Sequence, residues 1–248
     1  GTPNWMSWYT KRDLYSREKL AADLETIRSH YMNQGYLDFK IDSVQVSIAP
    51  NKSDVFVTIN MTEGEKYTVK SVKLTGDMLG LDKDLESLVT IKEGEIYNAE
   101  NVKNLSQAIT DQLSTLGYAF AAAPATPVAD RENRTVDIVY TIDPGRRAYV
   151  RRVNITGNNR TRDEVIRREV RQYESAWFDS DKVKLSRDRI DRLGYFETVT
   201  AEPKPVPGTR DQVDLEVNVK ERPTGSISLG AGYSTSDGII LSAGFAQN

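Results

Sequence analysis

The sequence predicts an α+β protein built from tandem strand-helix-helix-strand-strand units, each a three-stranded sheet with two helices on one face. Three observations carry this. Gly-Tyr recurs at Gly35-Tyr36, Gly117-Tyr118 and Gly194-Tyr195, with spacings of 82 and 77 residues. A second landmark keeps step: Thr75-Gly76 and Thr156-Gly157 lie 81 residues apart. Each Gly-Tyr also marks a switch from helical to alternating periodicity. Two landmarks sharing one period indicate an internal repeat.

In the first unit Leu20, Leu24, Ile27 and Tyr31 form one helical face that ends at Gly35. A strand over Phe39–Ile48, carrying Val44, Val46 and Ile48, follows. After the polar turn Pro50–Asp54 comes a second strand, with Val55, Val57, Ile59 and Met61 alternating. Only about fifteen residues precede the helix, too few for a strand and another helix, so the chain is expected to begin inside a domain. In the second unit Val72–Gly76 is the entering strand. Val102, Leu105, Ile109, Leu113 and Leu116 then mark a helix capped by Asn98 and ended by Gly117. Val136, Ile138, Tyr140 and Ile142 alternate as its last strand.

The third unit enters through Val153–Gly157. Thr161 and Glu164 have the spacing of a capping box, with Ile166, Val170, Tyr173 and Trp177 continuing a helix at steps of 4, 3 and 4. Val183, Ile190 and Leu193 form the next helix, and Val213, Leu215, Val217 and Val219 alternate strictly. The expected divisions are 1–66 (partial), 67–146, 147–222 and 223–248.

The last segment differs. Beyond Arg222-Pro223 the only charged residue is Asp237. Ile227, Leu229, Ala231 and Tyr233, then Ile239, Leu241, Ala243 and Phe245, alternate with small or polar residues. Two such strands of about ten residues match the first hairpin of a transmembrane β-barrel, an incomplete one here. An ordinary soluble hairpin has the same period.

Composition excludes several chemistries. The 248 residues carry 33 basic and 36 acidic side chains, a net charge of −3, without the basic excess of a general nucleic-acid binder. With no cysteine, disulfides, iron–sulfur clusters and thiolate zinc are ruled out. No apolar run approaches the roughly 18–20 residues of a membrane-spanning helix. The single histidine, His30, lies in a helical pattern. The pairs Asp82/Asp84 and Asp179/Asp181 lack the glycine and late glutamate of a calcium loop, and read as helix-entry acids. Gly230-Ala231-Gly232 has no third glycine and no following helix to cradle a phosphate. No serine sits in a G-x-S-x-G turn. The expectation is a protein with no cofactor, no metal and no catalytic residues.

One concentrated charge feature remains: Arg160, Arg162, Arg167, Arg168 and Arg171. Asp163 and Glu164 stand four residues before Arg167 and Arg168, so a solvated, self-paired helix face is one reading. Arginine beside Tyr173 and Trp177 is also the composition of a protein-docking surface, though on chemistry alone the solvated face is the favoured reading. Both readings stand on the residues alone.

The stretch Tyr149–Arg152 through Gly157-Asn158, then Arg167–Gln172, Glu174, Ala176-Trp177 and Arg192–Val199, resembles the last POTRA domain of the BamA family of outer-membrane β-barrel assembly factors. Val219–Arg222 with Thr224–Ser226 resembles that family's junction into the first barrel strand. Leu20–Thr26 and Thr62–Gly64 continue the likeness upstream, so that it spans nearly the whole chain. The resemblance implies part of a third POTRA domain, a fourth, a fifth and the start of the barrel. It implies an outer-membrane protein of a Gram-negative bacterium with these domains on the periplasmic side. Implied partners are BamD-like and BamB-like lipoproteins, unfolded outer-membrane proteins and outer-membrane lipid. By motif match, Arg167, Glu174 and Trp177 are the candidates for docking the BamD-like lipoprotein, although Trp177 is also readable as core. The family's first barrel strand meets its last at a weak seam, which points to Gly225, Ile227, Leu229, Gly230 and Tyr233; glycine weakens a strand.

Physics supplies one further candidate. The strand after Gly-Tyr can be a sheet edge with unpaired backbone groups, open to an added client strand. In the first unit this makes Val44, Val46 and Ile48 the candidates, with Lys40 and Asp42 as residues that blunt an edge. The resemblance adds the BamB-like lipoprotein at the same unit. A two-partner secretion transporter with the same module, and a soluble adaptor of α+β repeats, are the alternatives.

Overall fold

In the computed structural model, residues 6–48, 50, 55–223, 226–234 and 238–246 are described, with side-chain surroundings for 17–47, 50 and 56–223. Chain contacts divide it into two units: Gly1–Ser114 with Phe120–Arg146, and Thr115–Ala119 with Arg147–Asn248.

The first unit opens with helix α1 (Met6–Asn33), which extends well before its apolar stripe. Strands β1 (Lys40–Ile48) and β2 (Val55–Thr62) pair antiparallel as a two-stranded sheet. The expected alternation is present but leaves its apolar face largely open: Val46 is 54% and Val57 44% exposed. No third strand flanks this pair among the described residues.

The complete group follows. Strand β3 (Thr68–Gly76) is joined through α2 (Asp82–Glu86) and α3 (Ala99–Ser114) to β4 (Ala125–Asp130) and β5 (Thr135–Ile142). The sheet order is β3-β5-β4, with β3 parallel and β4 antiparallel to the central strand. Val136, Ile138, Tyr140 and Ile142 are buried on β5, and the Tyr140 hydroxyl donates to the Val102 carbonyl of α3 at 2.8 Å. Helix face and strand face meet there as their periods require. Asn98 caps α3 as expected, accepting from the Glu100 and Asn101 N–H groups.

The C-terminal unit repeats this order. Strand β6 (Tyr149–Thr156), α4 (Asp163–Arg167), α5 (Ser180–Asp191), β7 (Phe196–Pro205) and β8 (Gln212–Glu221) give a sheet ordered β6-β8-β7. Val150, Val153, Ile166, Val183, Ile190, Phe196, Leu215 and Val217 share one core. Strands β9 (Ser226–Ser234) and β10 (Gly238–Ala246) pair antiparallel, Ile227 opposite Phe245, Leu229 opposite Ala243 and Tyr233 opposite Ile239. Of the seam candidates, Gly225 lies outside the described residues; Ile227, Leu229, Gly230 and Tyr233 lie on β9.

Two expectations for the third unit are overturned. Thr161 and Glu164 form no capping box: α4 starts after Arg162, with no side-chain cap. The Thr161 N–H instead donates to Glu221 Oε1 at 2.7 Å, and the Arg160 N–H also donates to Glu221. A carboxylate from β8 takes over the local partner's role. Nor does the helix run on to Trp177; it ends at Arg167. The chain then turns through Ser175, at φ +64°, and lies along β6. Backbone pairing with β6 outcompetes the helix, because it satisfies groups that a sheet edge would leave bare.

The repeated landmarks have a steric cause. Gly76 and Gly157 have φ +94° and +88°, and a Cβ there would overlap the Ile142 and Val219 carbonyl oxygens. Each ends its strand hard against the central one. Both first strands also bulge at one position, between Val69 and Ser71 and between Val150 and Arg152. An aspartate of the central strand holds each bulge: Ser71 donates to Asp137, and Arg151 is bidentate to Asp214 at 2.9 and 2.5 Å. Arg151 keeps the Asp214 carboxyl below the usual carboxylate range.

Gly157→Ala is expected to cost more than ~1 kcal/mol of stability, seen as a lower unfolding midpoint, because left-handed backbone and a backbone clash act together. Gly208→Ala, with φ +78° and open space, should cost less. The Asp214 stabilisation is present above the unfolded carboxylate pKa of ~4 and is lost as pH falls through the lower folded value. Asp214→Asn should therefore weaken the C-terminal unit at neutral pH and narrow its difference from wild type in acid, measured by denaturant titration.

Candidate partner-docking surface and edge strand

The surface around Arg167, Glu174 and Trp177 is assembled on the outer edge of β6. The Val150 N–H donates to the Ala176 carbonyl at 2.9 Å, and Ser175 donates back to Val150 at 2.7 Å. One step further the loop can no longer reach, and side chains replace it. Glu174 Oε1 accepts the Val153 N–H at 2.9 Å, while Arg167 Nη2 donates to the Val153 carbonyl at 3.2 Å. Arg167 and Glu174 thus act together as a substitute strand. Their own charges lie 3.8 Å apart, and Arg167 also meets Asp163 at 3.0 Å. All three side chains are about half exposed, so these pairs contribute little to stability. They leave a polar, charge-bearing rim available for contact.

Trp177 occupies the other end of the same loop. It is 48% exposed, so the core reading does not hold. Its ring meets Tyr149 edge-on at 6.1 Å, and the Arg147 guanidinium stacks over it at 4.2 Å. Tyr173 is 64% exposed on the same loop. The structure therefore joins Arg167 directly to Glu174 and sets Trp177 three residues along.

Gln172 was not singled out from the sequence, yet it shapes the loop. It is 1% exposed; its amide donates to the Tyr173 and Trp177 carbonyls, and its Oε1 accepts the Asp179 N–H at 2.8 Å. Nothing in a sequence distinguishes one glutamine as buried, because its partners are backbone groups assembled by folding. Arg147 was likewise unmarked. Of the arginine cluster, Arg167 pairs with Asp163 as the four-residue spacing predicts, whereas Arg168 lies near Glu169, at 4.0 Å, instead of Glu164.

The second candidate is β1. It pairs only with β2 among the described residues. Val44 is half-buried, Val46 exposed, and Ile48 pairs through its backbone with Val55. The blunting residues are engaged: Lys40 meets Asp42 at 3.7 Å, and Asp42 accepts from Thr62 at 2.6 Å. The corresponding edges elsewhere carry proline, Pro127 on β4 and Pro203 and Pro205 on β7, and β1 has none. Proline removes a donor and discourages strand addition.

No cluster of His, Cys, Asp and Glu among the described residues could hold a metal ion. No helix among them is long and apolar enough to cross a membrane, which says nothing of strands.

Comparison with known proteins follows the repeat. The family described as POTRA, surface antigen variable number repeat, matches residues 5–64, 67–145 and 148–222. The outer membrane protein assembly factor BamA of Neisseria meningitidis is 37% identical over 98% of this chain and 30% of its own length. That of Buchnera aphidicola is 30% identical over 99% of this chain and 40% of its length. The chain thus spans about a third of the length of the curated relatives it matches. The crystal structure of Haemophilus influenzae BamA POTRA3-5 superposes with a TM-score of 0.77 at 34% identity, over 82% of this chain and 80% of that one. Haemophilus ducreyi BamA lacking POTRA domains 1–3 gives 0.56 at 36% identity, over 73% and 34%. With three matched repeats and the order of each complete sheet in place, the chain belongs to the POTRA family and resembles the BamA outer-membrane assembly factors within it.

Proposed function

We propose that the chain is the membrane-proximal periplasmic part of an outer-membrane β-barrel assembly factor. It acts as a non-catalytic scaffold that binds accessory lipoproteins and unfolded β-barrel clients and helps insert them into the outer membrane. Its divisions fall at 1–66, 67–146, 147–222 and 223–248, the last contributing the opening hairpin of a transmembrane barrel. The relatives named as assembly factors support this reading over a two-partner secretion transporter. The alternating, nearly uncharged β9–β10 pair supports the barrel hairpin, with the seam at Gly225, Ile227, Leu229, Gly230 and Tyr233.

The observation that carries the client-binding mechanism is the contrast among three equivalent edges. Two are interrupted by proline; β1 alone offers an uninterrupted run with Val44, Val46 and Ile48. An extended client gains backbone hydrogen bonds there with little demand on its sequence, and a BamB-like lipoprotein can use the same unit. The Arg167–Glu174 rim and the Trp177 stack are assigned to a BamD-like lipoprotein, since arginine and tryptophan dominate contact energies.

Val46→Pro should lower photocrosslinking of an extended client peptide about fivefold, the worth of one backbone hydrogen bond. Gln45→Pro, whose N–H points the opposite way, serves as the paired control, and crosslinking unaffected by either variant rejects the edge assignment. Glu174→Lys should weaken binding of the lipoprotein about tenfold or more through charge reversal. Glu174→Gln, which still accepts the Val153 N–H, separates that loss from damage to the β6 edge. Full affinity in the lysine variant removes the assignment.

A further inference from the structure

The first two Gly-Tyr turns are covered in different ways. At the first, the Tyr67 N–H donates to the Gly35 carbonyl at 2.9 Å, and a Cβ on Gly35 would lie 2.8 Å from Ile96 Cγ2. Ile96 belongs to the loop that pairs with the start of β3, so loop and turn touch directly. At the second, the Ala148 N–H donates to the Gly117 carbonyl at 2.8 Å. Trp177 holds the place of Ile96. Each stands one position before the N–H, of Tyr97 or Phe178, that donates to the carbonyl of Tyr67 or Ala148. Yet the nearest neighbour of Gly117 is Arg147, with Cγ 2.8 Å and Nε 3.0 Å from where a Cβ would stand.

Arg147 therefore lies between the loop and the turn. Its Nε donates to the Leu116 carbonyl at 2.8 Å, and its guanidinium stands over the Trp177 ring at 4.2 Å. Leu116, Gly117, Arg147 and Trp177 all belong to the C-terminal unit. The Nε bond fixes the plane of the guanidinium, and a planar cation so fixed holds the indole stacked against it. The corresponding cation of the first turn, Lys66, stands over Tyr36, a residue of the turn itself, at 5.4 Å.

We propose that Arg147 is a positioning residue for partner docking, coupling the pose of Trp177 to the closure of the Leu116-Gly117 turn. The proposal rests on the assignment of Trp177 to a protein partner. A partner that grips the ring holds the guanidinium, and through it the Leu116 carbonyl. A closed turn holds the ring ready in return, because coupling between two sites is reciprocal. A second route runs through the backbone, where the Phe178 N–H donates to the Ala148 carbonyl at 2.9 Å. Substitution separates the two, since only one passes through the Arg147 side chain.

The test reads amide hydrogen exchange at Ala148 in the full chain, alone and with the soluble form of the BamD-like lipoprotein from the same genome. Arg147→Met keeps an aliphatic stem over Gly117 and removes the guanidinium. Trp177→Ala should speed Ala148 exchange about threefold, in line with an exposed cation–ring contact. In an Arg147→Met background it should have no further effect. The lipoprotein should slow Ala148 exchange in the wild type and not in Arg147→Met, whose affinity for it should fall about threefold. Acceleration that persists in the Arg147→Met background assigns the link to Phe178 and overturns the proposal. Lipoprotein affinity indifferent to Arg147→Met overturns it as well. Full affinity of Trp177→Ala instead overturns the assignment of Trp177 to the partner, on which the exchange result in the free chain does not depend.

Discussion

A three-stranded sheet has two edges, and the N–H and C=O groups along them must meet something. That constraint organises the molecule. The start of β3 is met by residues 94–97: Val69 pairs with Gly94 and Glu95, and Tyr97 with Tyr67. The start of β6 is met by residues 175–178 in the same pattern. Where that loop ends, Arg167 and Glu174 take over the Val153 backbone groups. The opposite edges carry proline in both complete sheets. Strand β1 is treated differently, and the proposed client site lies there because among the described residues no strand but β2 pairs with it.

The same constraint links stability to the proposed docking surface. Arg167 and Glu174 are presented at the surface because β6 needs them; a rim built this way is held in place by main-chain bonds that a partner does not have to order. Gln172 does comparable work from inside, fixing three backbone groups of the loop that carries Tyr173 and Trp177. The loop's exposed aromatics are therefore preorganised, which lowers the entropic cost of any contact they make.

Glycine marks the joints. Gly76 and Gly157 let a first strand end against the central carbonyls, while Gly35 and Gly117 let polypeptide lie directly on the turn that follows a helix. A side chain at any of these positions would hold two segments apart. The landmark spacing of the repeat is thus a record of where backbones touch.

Periodicity and punctuation determined much of this protein by themselves. The strand alternation of β5 and β8, the apolar stripe of α3, the Asn98 cap and the Gly-Tyr turns are local patterns that can be read without knowing which distant residues they pack against. The sequence misled where a distant group outbid a local one: Glu221 displaced the Thr161 capping box, and β6 drew Tyr173 and Trp177 out of a helical spacing that fitted them. It was silent on Gln172 and on Arg147 over Trp177. Those depend on which surfaces meet, and only the tertiary structure decides that, because a backbone group buried or bared at a sheet edge has no signature of its own in the chain.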